Sequence, residues 1–353
     1  MSYQQTGRLA ETAAVASVGG GLFYLANLPL PWVLGALTFV MLWQGFTHRK
    51  SVMPPAVKNG GFMILGMSFG LYFTAETFQT IIPYFLPFLI LTCILILFCI
   101  FLGIIVTRWI KVDQITSVFS SIPGGLSEMA IASEALNAKP ALVVIFQTMR
   151  LLTVLFMLPA AMTFIFADQA QGASTVMPAG DASSDLLGYL WFIIPAGFAL
   201  LIRDKIPAGI IIGALGATAL LNVSPAELSA IPSPVLAAAQ IAVGASLGKN
   251  ILFRELRIGG KYCFVYLGLS IVIVAVSAGL GVLLANVTSL SYMTAILSLA
   301  PGGLFEMVLT ASEVGGNPAI VSALQLMRIL LIVTCVPPLL AWYFNRKARS
   351  RVA

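Results

Sequence analysis

The feature that most constrains this chain is a segment that it contains twice. Residues 120–150 read SSIPGGLSEMAIASEALNAKPALVVIFQTMR, and residues 297–328 read LSLAPGGLFEMVLTASEVGGNPAIVSALQLMR. Pro123 and Pro301 are 178 residues apart, and the same offset relates Glu128 to Glu306, Pro140 to Pro318, Gln147 to Gln325 and Arg150 to Arg328. Within the block only one pair slips by a residue, Ser133-Glu134 against Ser312-Glu313. Outside it, Gly19, Pro29 and Gly35 map onto Gly197, Pro207 and Gly213, and Gly66-Met-Ser-Phe-Gly70 maps onto Gly244-Ala-Ser-Leu-Gly248. One unit of roughly 175 residues has been duplicated across nearly the whole chain.

Which solvent the two copies face follows from composition. With 59% hydrophobic and 9% charged residues, the chain has too little polar surface to cover a globule in water. It reads as an integral membrane protein. Apolar runs of about 20 residues span a hydrocarbon core, and ten lie near 9–27, 30–47, 59–75, 81–107, 140–167, 186–202, 206–222, 233–248, 262–286 and 317–344. The run at 59–75 is the weakest, and its copy at 233–248 supports it. No cleavable signal peptide is expected, because the first run carries Glu11 and no basic cluster precedes it. Cys93, Cys99, Cys263 and Cys335 sit in apolar runs without CxxC spacing and read as small packing residues.

Basic residues decide whether each PGG block crosses the membrane, because loops left in the cytoplasm are enriched in them. If each block is a hairpin that enters and leaves on one side, and the N-terminus is cytoplasmic, 17 of the 19 basic residues fall in the cytoplasm and none outside. The other two are Arg150 and Arg328, inside apolar helices. If the blocks cross fully, Lys139, Arg203, Lys205, Lys249, Arg254, Arg257 and Lys261 land outside. The hairpin arrangement is therefore expected, with both termini cytoplasmic. The linker 168–185, with Asp168, Asp181 and Asp185 and no basic residue, then falls outside as a flexible bridge.

The expected fold is all-α and membrane-embedded. It consists of two repeats, 1–167 and 186–345, each with about five transmembrane helices and one broken PGG hairpin, at 114–138 and 290–315, followed by a basic tail 346–353. Five crossings is an odd number, so the second copy starts from the opposite side and the repeats are inverted. The two tips then approach each other near the midplane, an arrangement typical of secondary transporters.

At each tip the proline removes an amide donor and the glycines permit backbone angles closed to other residues. A helix should stop at Ile122 and another start at Leu126. Irregular backbone at membrane depth survives only where protein or trapped water satisfies its polar groups. The new half-helix points its N-terminus, with about half a positive charge, at that place. Gly124, Gly125, Gly302 and Gly303 form the tips, and Glu128 and Glu306 lie in the first helical turns. These carboxylates either offset the helix dipole or titrate and coordinate a cation, since a charge at the bilayer centre is costly and marks a pathway. Arg150 and Arg328 sit about 15 Å into their helices and need partners. One option is an ion pair of Arg150 with Glu128 or Glu306; another is a fork for a substrate carboxylate or phosphonate. Gln147 and Gln325, three residues earlier, share that helix face. Two arginines and two helix N-termini give about +3, which two ionised glutamates reduce to about +1, so the site favours an anion. Ser120, Ser121, Ser127 and Ser298 could line the tips, although hydroxyls in membrane helices more often bond their own backbone. Ser68 and Ser246, within GxSxG, lack the strand-turn-helix setting of a nucleophile and fit helix packing better.

Other chemistries are poorly served. The sole histidine, His48, sits beside Arg49 and Lys50, so no His, Cys or carboxylate cluster offers a metal site. Phosphate-loop and dinucleotide fingerprints are missing, and no soluble basic module suits direct DNA binding. The short basic tail suits lipid headgroups. Nothing arranges a nucleophile with a base, so an enzyme is not expected.

The motifs PGGLSEM with QTMR and PGGLFEM with QLMR resemble the bacterial AbrB membrane-protein family, and the resemblance covers both halves. That family is grouped with cation/proton antiporters, bile-acid symporters and auxin carriers. The resemblance implies inverted repeats, discontinuous helices and often a homodimer formed through a scaffold domain, here the early helices of each repeat, where Gly19-Gly20-Gly21 suits close contact. Members are often labelled ammonia monooxygenase, which the lone histidine opposes, or regulator of gene expression. The expected function is ion-coupled transport of a small organic anion across the bacterial inner membrane, with protons or sodium as the coupling ion and no other cofactor. The alternative is a membrane sensor that affects gene expression indirectly.

Overall fold

The computed structural model describes residues 3–166, 186–206, 208–224, 228–251, 253 and 258–349. The linker 168–185, Arg254, Arg257, the last four residues of the tail and the side chain of Ser127 lie outside the described residues. Among the described residues there is no strand. The first copy forms α1 (Tyr3–Leu25), α2 (Pro31–Thr47), α3 (Pro55–Gly70), α4 (Ala75–Val106), α5 (Gln114–Ser121), α6 (Leu126–Glu134) and α7 (Pro140–Ile165). The second forms α8 (Leu186–Leu190), α9 (Ile193–Ile202), α10 (Gly209–Val223), α11 (Ser233–Asn250), α12 (Tyr262–Val287), α13 (Tyr292–Leu299), α14 (Leu304–Val314) and α15 (Pro318–Arg349). Prolines at the first positions of α2, α3, α7 and α15 start those helices where an amide has no helical partner anyway.

Each of the ten apolar runs falls on helix, but the run at 186–202 is broken into α8 and α9 by a turn at Trp191–Phe192. Four helical stretches are long and apolar enough to cross a membrane: Ala75–Val106, Pro140–Ile165, Tyr262–Val287 and Pro318–Phe344. The chain is thus a helical membrane protein. Ten crossings do not follow from helix length and composition, since α2, α3 and α10 have 17, 16 and 15 residues. Helix α15 also continues to Arg349, into the stretch read as a tail.

The helices group into two compact units, and each draws on both copies. Unit 1 comprises Met1–Ile82, Pro159–Phe253 and Phe305–Ser322; unit 2 comprises Pro83–Leu158, Arg254–Leu304 and Ala323–Ala353. Within α4 and α7 the chain changes unit at Pro83 and Pro159, residues that remove an intrahelical hydrogen bond.

In unit 1 the copies pack reciprocally. Gly66 and Gly70 of α3 lie against the carbonyls of Ile211 and Leu215 on α10, while Gly244 and Gly248 of α11 lie against those of Val33 and Leu37 on α2. All four pairs correspond at the repeat offset. Any Cβ at these glycines would strike backbone, so the GxSxG motifs are packing surfaces. The same exchange recurs at the helix ends, where Asn222 Nδ2 donates to Leu71 O at 3.1 Å and its counterpart Gln44 Nε2 donates to Lys249 O at 3.1 Å. These bonds satisfy carbonyls that a helix end leaves without a partner.

Unit 2 is built around α4, α5, α7, α12, α13 and α15. Gly103 lets α4 approach the backbone of Val118 on α5, and Gly281, 178 residues later, lets α12 approach Ile296 on α13. Phe146 stacks on Tyr266 with ring centroids 3.9 Å apart. Leu95, Cys99, Val118, Phe119, Ile122, Met129, Cys263 and Ile273 belong to one buried cluster, which is the apolar core of the unit. Cys93 and Cys335, by contrast, are exposed rather than packed.

Candidate functional site

Each PGG segment interrupts a helix in the same way. Asp113 Oδ2 accepts from Thr116 N at 2.8 Å and caps α5, and its counterpart Ser291 Oγ accepts from Thr294 N at 3.3 Å and caps α13. Eight residues later both helices end, at Ser121 and Leu299. Gly124 N then donates to Ile122 O at 2.8 Å, and Gly302 N donates to Ala300 O at 2.8 Å. This bond between a residue and the second one after it closes an inverse γ-turn around Pro123 or Pro301, and a proline ring holds φ near the value that such a turn needs. The chain re-enters helix at Leu126 and Leu304.

An interrupted helix leaves carbonyls without partners in an apolar setting, and here side chains of the following long helix supply the donors. In the first copy Gln147 Nε2 donates to Phe119 O at 2.7 Å and Ile122 O at 3.0 Å. Arg150 Nη1 and Nη2 donate to Ile122 O at 2.7 Å and Gly124 O at 3.3 Å. In the second copy Gln325 Nε2 donates to Leu297 O at 2.7 Å and Ala300 O at 3.2 Å, and Arg328 Nη1 and Nη2 donate to Ala300 O and to Gly302 O, the latter at 2.7 Å. Every donor and acceptor corresponds at the repeat offset. The carbonyls of Ile122 and Ala300 each receive three donors, an amide of the turn, a glutamine and an arginine. Arg150 and Arg328 are 7% and 2% exposed, so these bonds form away from water and carry correspondingly more weight.

The guanidinium groups therefore brace the breaks. Among the described residues Arg150 makes no ion pair with a carboxylate. Its charge lies at the C-terminal end of α5, where a helix presents about half a negative charge. The same holds for Arg328 and α13. At each break the helix end thus offsets part of the charge of the arginine.

The carboxylates occupy the first turns of the half-helices but differ in surroundings. Glu306 is 1% exposed, whereas Glu128 is half-buried. Glu128 curls back over its own tip, where a side chain at Gly125 would collide with its carboxylate, and Met129 covers Gly124. Ser120, Ser121 and Ser298 donate to carbonyls of their own helices, Thr116 O at 2.6 Å, Ser117 O at 2.9 Å and Thr294 O at 2.7 Å. Gly125 and Gly303 lead into the half-helices and are not buried.

Cys99 acquires a significance that its sequence context did not signal. It is fully buried on α4, and its thiol lies within electrostatic reach of both Arg150 and Arg328. Among the described residues Gln147 Oε1 and Gln325 Oε1 are buried without a hydrogen-bond partner.

Comparison with known proteins places this pair of breaks in context. A family model described as Transition state regulatory protein AbrB matches residues 32–344. "Uncharacterized protein YhjN" of Bacillus subtilis (strain 168) is 25% identical over 347 residues, covering 92% of this chain and 90% of that protein. "Putative regulator AbrB" of Escherichia coli (strain K12) is 25% identical over 361 positions, covering 100% of each. No solved structure matches.

Proposed function

The chain belongs to the AbrB family, and from that premise we propose that it is an ion-coupled secondary transporter of a small, negatively charged organic solute in a bacterial inner membrane. The observation that carries this reading is the doubled break, in which one device of turn, arginine and glutamine interrupts a helix in each copy of a membrane protein. Unwound backbone with half-helix ends is a common way for such proteins to hold a solute and its coupling ion. In this reading Gly124, Gly125, Gly302 and Gly303 present backbone amides with Ser127, Arg150 and Arg328 with Gln147 and Gln325 fix the shape of the tips, and Glu128 and Glu306 exchange the coupling proton. Protonating Glu128 removes the charge that balances the tip, which favours uptake of a negative group, so proton and anion move together. Sodium is the competing coupling ion. The partners are the solute, membrane lipids and a second copy of the chain, without direct nucleic-acid contact or enzymatic chemistry.

A second reading is a membrane sensor that acts on gene expression without net transport, favoured by the printed name of the Escherichia coli relative. The two separate in sealed vesicles. A thermal-shift screen of the purified chain against small carboxylates and phosphonates selects a ligand, and its movement is then followed under an imposed pH gradient. Transport predicts accumulation driven by the gradient and loss of the pH dependence in Glu128→Gln. Binding without net movement supports the sensor, and unchanged flux and pH dependence in the variant removes the proton role of Glu128.

A further inference from the structure

The half-helix after the second break is fastened within unit 1. Both carboxylate oxygens of Glu313, next to last in α14, accept the amide of Leu30, at 3.1 and 3.0 Å. Leu30 immediately precedes α2, is 1% exposed, and has a φ of 48°, in the left-handed region that a leucine rarely adopts. A residue stays in such a conformation only where its surroundings hold it there. Glu313 supplies a charged acceptor for the amide that this turn buries, and charge-assisted bonds are the stronger kind. Two further contacts pin α14. Ser312 Oγ lies 3.4 Å from Tyr72 OH beyond the end of α3, and the ring of Phe305 meets that of Phe62 on α3 edge-on at 5.5 Å between centroids.

The second copy repeats the turn, but among the described residues the half-helix of the first copy shows no such fastening. Ala208, which corresponds to Leu30, precedes α10 with a φ of 54°. On α6, Glu134 is exposed, while Ser133 Oγ donates to Ala130 O of its own helix at 2.8 Å, much as Ser312 Oγ donates to Val308 O at 3.1 Å. The one-residue slip between Ser133-Glu134 and Ser312-Glu313 accounts for the difference. One residue along a helix rotates a side chain by about 100°, so Glu134 does not stand where Glu313 does. Accordingly α6 is grouped with unit 2, whereas α14 from Phe305 onward is grouped with unit 1.

We propose that Glu313 and Leu30 form a one-sided conformational latch that holds α14 in unit 1 and sets the resting state of the second half-helix. Opening it frees α14 from its anchorage at Leu30. The latch is a property of the fold and needs no solute, so it stands or falls apart from the transport reading.

Hydrogen exchange of the full chain in lipid nanodiscs, read by mass spectrometry, tests it. Glu313→Ala is expected to raise exchange in segments 304–314 and 28–34 by about tenfold, while 140–158 in unit 2 keeps its rate. Glu313→Gln, which retains an acceptor oxygen but not the charge, gives a smaller rise in the same two segments. Tyr72→Phe gives a small rise confined to 304–314. If Glu313→Ala loosens the whole chain, Glu313→Gln decides, because a rise in both 304–314 and 28–34 supports the latch and wild-type exchange in both overturns it. Wild-type exchange in 304–314 and 28–34 in all folded variants overturns it.

Discussion

After the first break the chain runs into α6, where Ile131 is 68% exposed and, of the described side chains, only Met129 and Ser133 are buried. After the second it runs into α14, where every residue from Leu304 to Ala311 is buried. Both half-helices start from the same turn, held by the same two side chains. What differs is the sequence that follows: Ser127, Ala130 and Ile131 in α6 stand where α14 has Phe305, Val308 and Leu309, and the Ser-Glu pair comes one residue earlier. The geometry of a break is therefore set locally, by proline, glycine, glutamine and arginine. The lodging of the half-helix depends on the bulk and register of its own side chains.

This comparison predicts equal effects at the breaks and unequal ones beyond them. The largest loss is expected for Arg150→Ala and Arg328→Ala, each of which removes two charge-assisted bonds, one of the three donors to the Ile122 or Ala300 carbonyl and the arginine donor to Gly124 or Gly302, and should lower stability by about 3 kcal/mol. Thermal unfolding in detergent should show similar drops for both, and lysine should not restore either because it cannot fork. Clearly unequal drops would break the symmetry. Next come Gly103→Val and Gly281→Val, where a side chain would press on the backbone of Val118 or Ile296; each should cost about 1–3 kcal/mol in the same assay. The comparison then turns unequal. Glu134→Ala, at an exposed position, should stay within about 0.5 kcal/mol of wild type, while Glu313→Ala loosens its half-helix. The smallest effect on stability belongs to Glu128→Gln, a half-buried carboxylate with no hydrogen bond among the described residues, where the readout that moves is the pH dependence of flux.

Much of this plan was legible in the sequence because its signals are local. Pro123 with Gly124 and Gly125 marks the end of α5 to within a residue and the start of α6 at Leu126, and the 178-residue offset carries the same reading to α13 and α14. The GxSxG glycines were readable as packing positions because small residues leave few other uses in a membrane helix. The partners of Arg150 and Gln147 were not readable. They are backbone carbonyls, which every residue carries and no side-chain pattern announces. The interlocking of α3 with α10 and of α11 with α2 was hidden because it is non-local. The division of 186–202 into two helices escaped notice because the run stays apolar through Trp191 and Phe192. The slipped Ser-Glu pair was visible as an irregularity, but only the turn at Leu30 gives it a meaning.

The claim that one break is built twice and lodged two ways can be tested directly on the unmodified chain, by amide exchange resolved to the four short helices around the breaks. The account predicts that α5 and α13 exchange at matching rates, and that α6 exchanges about tenfold faster than α14. Matching rates in α6 and α14, or a faster α14, would contradict it.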